Sequence, residues 1–136
     1  MRKTMSFIIE SHDGSVVVHI GKTLDFDNAE DFKQVCREKV IEGIHYFVLD
    51  FSKTGILDST GLGAIFFLYK QIVSLNGEVA FADISTPVRM VMQISRMHKV
   101  FPCYDTIEEA CAAQRLLYAP SVLATWTSDD NEYQSA

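Results

Sequence analysis

Residues 48–71 read VLDFSKTGILDSTGLGAIFFLYKQ, and the pattern changes twice within them. The first residues complete a nearly continuous apolar run, IHYFVLDF at 44–51, of the length expected for a central strand covered on both faces. A loop, SKTGILD, follows. From Ser59 to about Leu75, apolar residues recur at helical spacing until Asn76-Gly77 closes the pattern. A buried strand that hands over to a helix through a short loop is a unit of an α/β fold.

Asp58 stands where the N-cap of that helix belongs, since its carboxylate can accept free backbone N–H groups of the first turn. Ser59 and Thr60 then fall in that turn. Gly61 and Gly63 are poor helix residues, each costing about 1 kcal/mol relative to alanine. Either something approaches this backbone closely from outside, or the glycines let the helix pack tightly on the sheet. At about 100° per residue, Leu62, Ile65, Phe66, Leu68, Tyr69, Ile72, Val73 and Leu75 fall on one half of the cylinder, read as core. Ser59, Thr60, Gly63, Ala64, Phe67, Lys70, Gln71 and Ser74 fall on the other. Phe67 is the one large aromatic on that second half, in line with Ser59 and Gly63. Beside a serine at a helix start it reads as the anchor of a binding face. Cover from a neighbouring element is the plainer alternative.

The same alternation extends outward. Met5–Glu10 and Ser15–Ile20 are β-rich runs joined by Asp13-Gly14, a hairpin signal. GKTLDFDNAE is a polar loop in which Asp27 can cap a helix, with Glu30 at the capping-box position. Ala29, Phe32, Cys36 and Val40 recur at helical spacing until Gly43. Downstream, Glu78–Ala82 is a strand, and Thr86-Pro87 opens a third helix with proline at its first position. Val100–Tyr104 is a short last strand, and Thr106 with Glu109 caps a helix to about Leu117. The order β-β-α-β-α-β-α-β-α predicts a mixed, mostly parallel sheet of about five strands with about four α-helices. Residues 1–117 form this domain. From Ala119 to Ala136 the chain turns polar and loses periodicity, which reads as a flexible tail (118–136) with Val122–Trp126 as a segment able to dock.

A chain of 136 residues is long enough to bury one core. Its net charge of −6 argues against sequence-independent nucleic-acid binding, which needs clustered cations. The start, MRKTMSFIIE, lacks the apolar run of a signal peptide, and Leu62–Tyr69 is too short to span a bilayer. Cys36, Cys103 and Cys111 form no CxxC pair, which points to reduced thiols and a cytoplasmic protein.

The quoted stretch resembles the STAS domain of bacterial anti-sigma-factor antagonists, whose D-S-[ST]-G-L-G motif is matched by Asp58-Ser59-Thr60-Gly61-Leu62-Gly63. The likeness runs through GKTLDFDNA upstream and GEVAFADISTPVRMVMQISRMHKVF downstream, covering about Met5 to Leu117. It implies the STAS fold, a phosphoacceptor role for Ser59, and partner-contact roles for Asp58, Thr60 and Gly61. Asp25 matches the family's acidic loop position before the first helix. With Gly63 and Phe67 these residues form the expected partner-binding face.

The resemblance also implies a cycle. The unmodified form binds an anti-sigma factor with serine kinase activity and so releases a sigma factor. Phosphorylation of Ser59 ends that complex, and a PP2C-type phosphatase restores it. Such a protein is no enzyme and needs no cofactor or metal. Two other readings stand beside it. A STAS domain can serve as a scaffold or accessory subunit in another signalling or transport complex. A serine-nucleophile enzyme would need a base and an oxyanion hole. However, there is no G-x-S-x-G, and His12, His19, His45 and His98 are scattered. His19 and His45, on predicted strands, read as structural. KTG at 53–55 is not a P-loop, and the His and Cys spacing suits no metal.

Overall fold

The computed structural model describes residues 7–118; the predicted tail lies outside them. The strands are β1 (Ile8–His12), β2 (Ser15–His19), β3 (Thr23–Leu24), β4 (Tyr46–Asp50), β5 (Ile56–Leu57), β6 (Glu78–Ala82) and β7 (Cys103–Tyr104). The helices are α1 (Ala29–Ile41), α2 (Ser59–Ser74), α3 (Thr86–Ser95) and α4 (Ile107–Tyr118), with a 3-10 turn at Met97–Lys99. Five strands form one sheet in the order β1-β2-β4-β6-β7. β1 pairs antiparallel with β2 through the Asp13-Gly14 turn, and the other pairs are parallel.

β2 and β4 are buried on both faces, as their continuous apolar runs require. On one face, Val16, Val18, Phe47, Leu49 and Phe81 pack with Phe32 of α1, Ile65 and Leu68 of α2, and Val88 of α3. On the other, Val17, Val48 and Ala82 pack with Ala110 and Cys111 of α4. A polar pin holds α4 in place. Buried Gln114 accepts a hydrogen bond from Ser15 Oγ (2.7 Å) and donates one to the Phe47 carbonyl (3.0 Å). No helix among the described residues is long and apolar enough to cross a membrane.

Several element boundaries differ from those expected. α1 begins at Ala29 after Asn28, not after Asp27. The Asp25 carboxylate accepts from the Asp27 N–H (3.0 Å) and draws that residue into a turn instead. The Asn28 side chain bonds back to Asp25 N and Thr23 O rather than to the helix. The third helix is capped by Ser85, which shifts Pro87 to the second helical position. β7 keeps only Cys103 and Tyr104 of the expected strand. The apolar half of α2 is also rotated. Gly61, Ala64, Ile65, Leu68 and Ile72 are buried, whereas Val73 and Leu75 are exposed. α1 packs against α2 and brings Lys33 and Arg37 over Phe67, a contact that a single-helix wheel does not contain.

Candidate functional site at the start of helix α2

The loops SKTGILD and GKTLDFDNAE are not irregular throughout. Each contributes a two-residue strand, and β3 pairs with β5 in parallel, Thr23 with Ile56 and Leu24 with Leu57. This ribbon projects beyond the ends of β2 and β4 and joins the two loops. Thr54, buried despite its polarity, ties the base together. Its hydroxyl donates to the Gly21 carbonyl (2.6 Å), and its own carbonyl accepts from Ser85 Oγ (2.6 Å).

Asp58 is the N-cap of α2, and its Oδ1 accepts the Gly61 N–H at 2.9 Å. Its Oδ2 accepts the Phe26 N–H at 3.3 Å, and its own N–H donates to the Leu24 carbonyl at 3.3 Å. Asp58 thereby fixes the helix start and the loop on either side of Asp25, its carboxylate holding Gly61 and Phe26 and its backbone N–H holding Leu24. Ser59 and Thr60 follow in the first turn, both exposed. The two glycines differ. Gly61 is buried, and a Cβ there would run into the Leu24 carbonyl oxygen, so tight internal packing accounts for it. Gly63 is exposed and a Cβ there would meet nothing within 4 Å, so no internal contact requires glycine.

Phe67 lies two turns beyond Ser59, 38% exposed. It is partly covered from α1, with Lys33 Nζ 4.9 Å and the Arg37 guanidinium 5.8 Å from its ring centre. Asp25, Asp58, Ser59 and Thr60 thus cluster around the ribbon tip, and Gly63 and Phe67 extend the same face along α2. Gly61 lies beneath it. Phe26, 72% exposed at the tip, was not singled out by the sequence, where one aromatic in a polar loop carries no periodicity.

A family model described as STAS domain matches residues 6–110, most of the chain. The chain belongs to the STAS domain family. It is 30% identical over 98 residues to the anti-sigma F factor antagonist of Paenibacillus polymyxa, covering 71% of this chain and 84% of that protein. The crystal structure of a Thermotoga maritima protein superposes with a TM-score of 0.77 at 27% identity, over 83% of this chain and 97% of the other. Unphosphorylated SpoIIAA shares the fold, with a TM-score of 0.73 at 22% identity over 80% and 96% of the two chains.

Within this STAS domain a second polar cluster joins the last residues of β2 and β4 to the middle of β1. His19 Nδ1 is 2.6 Å from Asp50 Oδ2, and Nε2 is 2.8 Å from Glu10 Oε1. Burial works against a charge on His19. The hydrogen bonds and charges of Glu10 and Asp50 outweigh it, so its pKa is raised. With both ring nitrogens occupied by carboxylates, His19 is a structural histidine, not a base for Ser59. A cavity of about 320 Å³ adjoins it, lined by Ile8, Glu10, His19, Gly21, Asp50 and Lys53.

Proposed function

We propose that this chain is an anti-sigma-factor antagonist switched by phosphorylation of Ser59. The observation that best supports this reading is the exposed Ser59 in the first turn of α2, beside the Asp58 cap and joined through it to the Asp25 loop. The unmodified face, with Asp25, Asp58, Thr60, Gly63 and Phe67, binds an anti-sigma factor that has serine kinase activity. That kinase phosphorylates Ser59, and a PP2C-type phosphatase restores the hydroxyl. Gly61 serves the face from beneath by letting the loop seat on the helix.

The physical logic is local. A phosphoryl group adds about −1.5 to −2 charges next to Asp58, in a contact that the partner would desolvate. Inside the domain, the helix N-terminus tolerates an anion. Across the interface the same charge is unpaired and costs several kcal/mol. Binding is lost while the fold persists.

The test is to incubate the chain with its anti-sigma factor, with and without ATP, and to map phosphate by peptide mass spectrometry. Phosphate on Ser59 together with ATP-dependent dissociation is expected. Phosphate on Thr60 alone, or a complex indifferent to ATP, contradicts the proposal. The second outcome would favour a scaffold role.

A further inference from the structure

The exposed arc of α2 has a charge pattern that the Ser59 switch does not use. Projected at about 100° per residue, Ser59, Lys70, Gly63, Ser74 and Phe67 span one quarter of the cylinder. From its first to its last residue, STGLGAIFFLYKQIVS, the helix contains no carboxylate. Alongside Phe67 stand Lys33 and Arg37 of α1, both within cation–π range of its ring. Lys33 also pairs with exposed Glu30 (3.0 Å), and among the described residues Arg37 donates only to the neutral Gln34 (2.9 Å). Arg37 therefore has no acidic partner among the described residues. In a chain of net charge −6 this strip is basic. The ribbon tip, with Asp25, Asp27 and Asp58, is acidic. The face is thus two-signed along α2, acidic at the Ser59 end and basic about two turns on.

Gly63 lies between the two ends. Because a side chain there would meet nothing within 4 Å, its absence leaves the helix backbone uncovered between Ser59 and Phe67. A helix face bare at Gly63, one turn before an aromatic ring that carries two cations, fits an apolar side chain carried by an acidic segment.

We infer that the Gly63–Phe67 strip of α2, with Lys33 and Arg37 of α1, docks an acidic helix of the partner protein, one apolar side chain of which seats over Gly63. The inference rests on the reading of this face as the partner-binding face and goes further by naming the partner's chemistry and direction. Its carboxylates lie over Lys33, Arg37 and Lys70, and its opposite end lies towards the acidic ribbon tip. Like-charged partners are excluded by the basic strip, and reversed docking by the acidic tip.

The test is an NMR titration of the isotope-labelled full chain with a synthetic amphipathic helix of leucines and glutamates. About four turns, or roughly 20 Å at 1.5 Å per residue, would cover the strip. The same peptide with lysine for every glutamate is the control. The acidic peptide is expected to perturb the amides of Gly63, Phe67, Lys33 and Arg37, and its affinity to fall with added salt. Lys33→Ala with Arg37→Ala should weaken it about tenfold or more, as should Gly63→Leu, with melting temperatures no lower than that of the wild type checked for both. Equal binding of the two peptides, perturbation elsewhere, or no binding overturns the inference. No kinase and no phosphate take part, so failure of the Ser59 cycle would leave this result standing. A working cycle without preference for the acidic peptide would remove this inference alone.

Discussion

The carbonyl oxygen of Leu24 occupies the space in which a side chain on Gly61 would begin, with the Leu24 carbonyl carbon only 2.9 Å from that point. The loop bearing Asp25 is thereby seated on the helix bearing Ser59, and the Asp58 carboxylate bonds to both. Gly61→Ala should lower stability by about 1–3 kcal/mol through overpacking, despite alanine's better helix propensity. Gly63→Ala should raise stability by up to about 1 kcal/mol, since its Cβ meets nothing. Denaturant titration of the two variants decides. Equal effects would show that the loop yields and that the two elements are not one unit.

Stability should depend on pH through His19. Its pKa is raised above the ordinary value of 6.5 because Glu10 and Asp50 outweigh its partial burial. A raised pKa means that the folded chain holds this proton more tightly than the unfolded one. The contribution is therefore complete below about pH 6.5 and fades as pH rises through the folded value. Thermal melts from about pH 6 to pH 9 should fall more steeply for the wild type than for His19→Gln. Parallel curves would show that the imidazolium contributes nothing to the fold.

Gln114 pins α4 to the sheet from a fully buried position. Gln114→Leu keeps much of the volume but strands the Ser15 hydroxyl, at a cost of about 1–3 kcal/mol. Adding Ser15→Ala should recover part of that loss, because the stranded group is then gone. If the double variant in a thermal melt is as unstable as the sum of the singles, the pin is not a coupled unit.

The strands and helices of the main sheet were legible because each buries a face, and burial imposes periods of two or 3.6 residues on the sequence. Asp58 as a cap was legible because a carboxylate just before a helical run can accept the free N–H groups of the first turn. The β3–β5 ribbon was not. Strands of two residues carry no period, and their pairing across more than thirty residues leaves no local mark. The rotation of α2 was hidden because α1 packs against α2, and the periodicity of one helix does not record its neighbour. Asp27 looked like a cap as strongly as Asp58 did. Only the competing turn made by Asp25 decides against it. For the candidate site, sequence spacing marked Asp58, Ser59 and the glycines, but the different reasons for Gly61 and Gly63 needed coordinates.

In the proposed cycle, Ser59 controls binding by adding charge locally, without refolding. Ser59→Asp should melt like the wild type and bind the anti-sigma factor far more weakly, and Ser59→Ala should bind even with ATP present. The most direct measurement compares backbone amide shifts of the phosphorylated and unmodified chains. Changes confined to the loop from Gly21 to Asp27 and the turns from Leu57 to Gly63 are expected. Changes spread across the sheet and α4 would contradict this local mechanism and establish a conformational switch.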